Sequence, residues 1–303
     1  MTTAAIASTE LPAIIFCEGE HLVSVTHVPE RICARGLLAI VAGGPQYRGG
    51  VGRLQVTLAR ELAGAGIPVM RFDYRGLGDS EGSFRGFQDV EADLAAAIAT
   101  FRAQLPGMTE IVLWGGCDAA AAIMINAWKF PEVTGIIVGN PWVHTEETGN
   151  AVAVKHHYRR RILEKSFWLK VVRLQFNPLP ALATVARMLT TRLRRGLRPQ
   201  SRETAAPSHD DTSQPFVTRM RLGLSRFHGD MLLLMSGQSL VSKEFDETVA
   251  SDANWQHAMQ APRHSTRHDM PEADQTYSSI AARREVIAVV NTWMLDTSTS
   301  SPQ

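Results

Sequence analysis

The sequence predicts an α/β protein: a mostly parallel, doubly wound sheet with a helical cap inserted between its sixth and seventh strands. Three observations predict it. Short apolar runs alternate with stretches of helical period between residues 37 and 139. The run Ile111–Gly115 ends on glycines and passes straight into small helix formers. From residue 155 to about 198 strand patterning gives way to helical patterning, and strands resume at 231.

Each element follows from its own residues. Segments 13–17 and 21–28 are short strands around Glu18-Gly19-Glu20, the second alternating apolar and polar positions as in a half-exposed antiparallel hairpin. Leu37–Ala42 is a continuous apolar run, as expected of a strand buried on both faces. A helix over about 51–65 carries Leu54, Leu58 and Leu62 and stops at Gly64 and Gly66. Val69–Asp73 is the next strand. Residues 88–104 have helical period through Val90, Leu94, Ile98 and Phe101, and Pro106-Gly107 ends that helix. Strand 111–115, helix 118–129 and strand 135–139 complete the first half. After the cap, 216–227 is helical, 231–236 a buried strand, 242–257 helical, 265–270 a last strand and 279–295 a closing helix. The core domain is thus 1–142 with 228–297. The cap is 143–227, with a polar, Pro/Ser-rich flexible loop at about 199–215, and 298–303 is a tail.

Composition bounds the function. The chain has 303 residues and a net charge of +1, so no nucleic-acid partner is expected. Cys17, Cys33 and Cys117 form neither a disulfide framework nor a metal-ligand spacing, and no metal or cofactor is expected. The N-terminus lacks a basic segment followed by a long apolar core, and no run reaches about 18 uninterrupted apolar residues. A cytoplasmic location is therefore expected. The cap region 155–226 holds 16 of the 31 Lys and Arg residues against 4 acids. Arg159–Arg161 and Arg194-Arg195 are interleaved with Phe167, Trp168, Val171 and Val172. Such a surface fits an anionic membrane, which would make the protein peripheral at the inner membrane, or a charged lipid-linked or glycan substrate. It equally fits a solvated cap whose arginines pair with acids of the core.

The chemistry centres on Trp114-Gly115-Gly116-Cys117-Asp118-Ala119. A strand, a sharp turn and a helix hold the central residue in a strained conformation at the sheet edge, with the next N–H at a helix N-terminus. That N–H, from Asp118, can hold an oxyanion, and the helix end favours a thiolate.

These features resemble the α/β-hydrolase fold. The stretches GGPQYR at 43–48, RFDYRGLGDSEG at 71–82, WGGCDAAAA at 114–122, NPW at 140–142, KHHY at 155–158 and ADQTYS at 273–278 resemble the exosortase A system-associated hydrolase 1 family. The resemblance covers about residues 14–295. It implies a bacterial protein linked to exopolysaccharide and PEP-CTERM sorting gene clusters; the elbow and the basic cap give the expected partner, a small acyl or lipid-linked or glycan substrate. It also implies site positions: Cys117 as nucleophile, an acid where this chain has Ser239, and a histidine base where it has Gln275. Ser cannot supply a negative charge, and Gln cannot accept a proton near neutral pH.

Other residues of the chain are candidates to replace them. His264 and His268 precede Gln275, and His268 lies seven residues early on a strand that rises roughly 3.3 Å per residue. His144, after the sixth strand and beside Glu146 and Glu147, is the better placed substitute. A second oxyanion donor would come from Gly44 or Gln46, since Pro45 has no N–H. GGPQYR can equally be a tight turn steadied by Tyr47 and Arg48. Asp118 is expected to cap its helix, and the 71–82 loop to be structural. Two readings of the whole remain open: a cysteine-dependent hydrolase or transferase of esters or thioesters, and a catalytically degenerate relative acting as a binding or scaffold protein.

Overall fold

The apolar runs become the central strands of one eight-stranded sheet. The computed structural model describes residues 7–42, 46–144 and 211–298. The strands are β1 (Ser8–Cys17), β2 (Glu20–Pro29), β3 (Arg35–Ile40), β4 (Val69–Phe72), β5 (Glu110–Gly116), β6 (Val133–Gly139), β7 (Asp230–Ser236) and β8 (His264–Met270), in the spatial order β1-β2-β4-β3-β5-β6-β7-β8. β1 pairs antiparallel with β2, and β2 with β4; every other pairing is parallel. The helices are α1 (Leu54–Gly64), α2 (Glu91–Gln104), α3 (Asp118–Asn126), α4 (Phe216–Arg226), α5 (Leu240–Ser251), α6 (Ala253–Ala258) and α7 (Ile280–Ser298).

Period-two alternation sends each central strand's side chains to two cores. Ile111 and Leu113 of β5 join Leu38, Ile40, Phe72, Leu94, Ile98 and Phe101 on the face covered by α2 and α3. Val112 and Trp114 join Leu37, Val69, Ile137 and Leu232 on the face covered by Leu58 and Leu62 of α1 and Val286 and Val290 of α7. Fully burying a Leu or Ile side chain contributes about 1.5–3 kcal/mol, so these two layers hold the sheet. The outer strands differ. β8 is polar and largely exposed, and β1 is an edge strand that tolerates Pro12 because one side needs no ladder bond.

Several boundaries move for physical reasons. Asp252 accepts from the Asn254 N–H at 2.9 Å and starts a new helix, so the single helix expected over 242–257 is two, α5 and α6. Residues 127–129 tighten to a 3₁₀ turn after α3, and 51–53 do the same before α1.

By compactness the chain divides into residues 1–145 with 210–303, and residues 146–209. The expected cap of 143–227 is drawn wider than this division. Helix α4 buries Met220 and Leu224 in the core, and Gly223 comes so close to α3 that a Cβ there would sit 2.3 Å from the Met124 carbonyl oxygen. The helices expected over 155–198, the KHHY stretch, the arginine clusters at 159–161 and 194–195, and most of the 199–215 loop lie outside the described residues. Among those described, no helix is long and apolar enough to cross a membrane.

Candidate active site

Strand β5 delivers Cys117 to the carboxyl edge of the sheet, and α3 begins at the next residue. Cys117 has φ +56° and ψ −122°. A residue with a Cβ adopts that conformation only when its surroundings force it. Here β6 and the chain after it do so. The Cys117 N–H donates to the Gly139 carbonyl at 2.8 Å, and its carbonyl accepts from the Trp142 N–H at 3.1 Å. Gly115 is needed because a Cβ there would lie 2.9 Å from that of Ala119, where the helix folds back on the strand.

The sulfur is half-buried and accepts two hydrogen bonds, from Gln275 Nε2 at 3.3 Å and from the Asp118 N–H. Burial pushes the thiol above its ordinary value of 9.0, and the Asp118 carboxylate acts in the same direction; the two N–H donors oppose this without prevailing. Cys117 is therefore a neutral thiol at pH 7. This corrects the expectation that the helix end would give a thiolate: desolvation and the neighbouring carboxylate outweigh the dipole. Asp118 also does not cap α3. Cys117 occupies the N-cap position, no side chain caps the helix, and Asp118 is the first helical residue.

Gln275 is held by a rigid loop after β8. The Asp274 carboxylate accepts from the Thr276 and Ser278 N–H groups, each at 3.0 Å, and from the Ser278 hydroxyl. The Ser278 hydroxyl, followed by these N–H groups, holds its carboxyl down at about 2. Tyr277, at φ +54°, buries its ring and donates its hydroxyl to the Leu234 carbonyl at 3.2 Å. Desolvation raises the phenol well above its ordinary value.

Asn140 joins this loop to the rest of the edge. It is fully buried, at φ +45°. Its Nδ2 donates to the Gln275 carbonyl and to Ser236 Oγ, both at 2.9 Å. Its Oδ1 accepts from the Ser236 N–H at 2.8 Å and from Ser242 Oγ at 2.7 Å. Sequence reasoning noted Asn140 only within NPW. Its role depends on partners about a hundred residues away, which no local pattern signals.

The remaining candidates divide. Ser239 is buried at the N-cap of α5, where its hydroxyl accepts from the Ser242 N–H at 3.3 Å. His144 bonds through Nδ1 to both carboxylate oxygens of Glu244, at 2.9 and 3.0 Å, and its ring lies 5.3 Å from that of Trp142. Sequence reasoning missed Glu244; the acids it set beside His144, Glu146 and Glu147, lie outside the described residues. His268 bonds to Glu285 and His264 to Asp230, both at 2.9 Å. Gly44 lies outside the described residues with Gly43 and Pro45. Gln46 is half-buried, two residues before Arg48. The Arg48 guanidinium holds Asp73 at 2.5 Å and Asp79 at 2.7 Å, while Arg75 pairs with Asp93 at 2.9 Å, so these three charges of the 71–82 loop are paired within the fold. Among the described residues no group of three or more His, Cys, Asp or Glu side chains could hold a metal ion.

An eight-stranded, mostly parallel sheet with a strand–elbow–helix turn at its carboxyl edge defines an α/β-hydrolase fold. Residues 33–214 match the Hydrolase_4 model, described as serine aminopeptidase, S33, and the chain belongs to that family. The fold is shared with the Pyrococcus furiosus esterase Pf2001, at TM-score 0.61 and 12% identity over 96% of this chain and 91% of that one. It is shared too with Est1E from Butyrivibrio proteoclasticus with ferulic acid bound, at 0.56 and 16% over 94% and 98%. A dienelactone hydrolase from Anabaena variabilis aligns at 0.55 and 11% over 95% and 98%. No curated protein matches the sequence.

Proposed function

We propose that the protein is a cysteine-dependent acyl hydrolase or acyltransferase acting on an ester or thioester, with Cys117 as the group that is acylated. The observation that carries this reading is the Cys117 backbone at φ +56° at the N-cap of α3. Such strain costs of order 1–3 kcal/mol and persists where function uses it. The Asp118 N–H, already at the sulfur, is a donor for the oxyanion of a tetrahedral intermediate, with Gly44 and Gln46 as the candidates for the second donor. The resemblance described above supports a role in exopolysaccharide and PEP-CTERM exosortase systems, and we take the substrate to be a small acyl compound or a lipid-linked or glycan one. The basic residues of 155–226 support a cytoplasmic protein that touches the anionic inner-membrane surface.

A second reading is favoured by a different observation. Gln275 donates to Cys117 and cannot remove its proton, and Ser239 carries no charge. On that reading the site binds its ligand without turning it over, and the protein is a scaffold. Turnover of p-nitrophenyl acetate by wild type and Cys117→Ala separates the two. Loss of the wild-type rate in Cys117→Ala supports the enzyme; equal rates in both remove it and leave the scaffold.

A further inference from the structure

We infer that His144, oriented by Glu244, is the general base that serves Cys117, in place of the histidine absent at Gln275; this rests on the acyl reading above. Three placements on one sheet edge support it. Cys117 follows β5, His144 follows β6, and Glu244 lies on α5 after β7, so the three stand on adjacent strands. The Trp142 N–H bonds to the Cys117 carbonyl at 3.1 Å, so the chain carrying His144 passes alongside the elbow. His144 is two residues further along the same segment, and a bridging water would carry a proton between its ring and the sulfur.

The pair is built rather than incidental. The Glu244 side chain is 6% exposed and the His144 side chain 45%. A buried carboxylate is costly unless paired, and its pairing with His144 makes it a fixed orienting group. The segment is pinned to α5 twice, by Asn140 to Ser242 at 2.7 Å and by His144 to Glu244 at 2.9 Å. The ionised carboxylate can only accept a hydrogen bond, so Nδ1 carries the proton and Nε2 presents a lone pair. Glu244 bonds to His144 at Nδ1, the ring nitrogen that does not serve as the base.

The steps balance with these groups. The Cys117 S–H proton passes through a bridging water to His144 Nε2 as sulfur attacks the acyl carbon. The S–C bond forms, the bond to the alkoxide or thiolate leaving group breaks, and His144 returns the proton to that group. A water then attacks the acyl-enzyme, giving a proton to His144. The S–C bond breaks, the free acid leaves, and the thiolate takes the proton back. Glu244 is a positioning residue that holds the tautomer throughout.

The test is the single-turnover rate of p-nitrophenolate release from p-nitrophenyl acetate, measured from pH 6 to 10 for wild type, His144→Gln and Glu244→Gln, with Cys117→Ala as reference and circular dichroism as the folding control. At pH 7, His144→Gln should lower the Cys117-dependent rate about 100-fold, with Glu244→Gln falling in the same direction. Above pH 9, where the thiol begins to ionise unaided, both variants should approach wild type; a purely structural defect would lower the rate at every pH. A folded His144→Gln with the wild-type rate at pH 7 overturns the inference while leaving Cys117 in place. A rate that survives in Cys117→Ala, or no release from wild type, overturns the acyl reading as well.

Discussion

Gln275 donates an amide hydrogen to the Cys117 sulfur across 3.3 Å. At this place in the site the sulfur meets a neutral donor rather than a proton acceptor. Donation lowers the thiol's pKa slightly, burial raises it more, and the sum is a thiol that stays protonated at neutral pH.

Alkylation kinetics follow from that sign. Only the thiolate reacts, so Cys117 labelling by iodoacetamide should be slow at pH 7. It should climb about tenfold per pH unit and continue to climb past pH 9, because the folded-state value lies above 9.0. Mass-spectrometric quantification of the alkylated peptide reads the profile. A plateau reached near pH 7 would show an activated thiolate instead.

Placing a histidine at position 275 should reverse the balance. In the His144→Gln background, Gln275→His with Ser239→Asp puts an imidazole where the amide touches sulfur, and hydrolysis of p-nitrophenyl acetate at pH 7 should rise by about 100-fold over His144→Gln alone. Unchanged turnover in the folded triple variant would mean that position 275 does not govern the chemistry.

How much of this was legible beforehand depends on the range of the cause. Strands β3 to β7 announce themselves because burial on both faces requires continuous apolar residues, and the elbow because a tight turn requires Gly115, Gly116 and Ala119 around Cys117. Local signals fail where a distant partner decides. Asn140 matters through Ser236, Ser242 and Gln275; Glu244 through His144. The sign of the Cys117 shift depends on desolvation, which the helix-dipole argument from sequence omitted.

Asn140→Ala should cost about 3 kcal/mol of stability. It leaves the buried Ser236 N–H without its acceptor, frees Ser242 Oγ and releases the Gln275 carbonyl. Urea unfolding measures the loss. Cys117 labelling should change alongside, because the loop that presents Gln275 loses its anchor.

Asp274 makes the same loop acid-sensitive. Its folded value of about 2 lies below the ordinary 3.8, so its contribution is complete above pH 4 and is lost as pH falls toward 2. The Tm difference between wild type and Asp274→Ala should be large at pH 6 and shrink at pH 2. A difference that does not vary with pH would assign the loop's order to other contacts.

The strain at the elbow has a stability counterpart. Glycine adopts φ +56°, ψ −122° readily, so Cys117→Gly should unfold at higher temperature than Cys117→Ala, by about 1 kcal/mol in stability. Calorimetry of the two variants checks it, and equal Tm values would mean that the turn holds no strain.

The most direct measurement is intact-protein mass spectrometry after incubation with an acyl ester or thioester such as p-nitrophenyl acetate or an acyl-N-acetylcysteamine. If Cys117 is the acylated group, wild type gains one acyl group per chain, peptide mapping finds it on the 111–122 segment, and Cys117→Ala gains none. An unmodified wild type with no turnover, or an acyl group that persists in Cys117→Ala, would contradict the account.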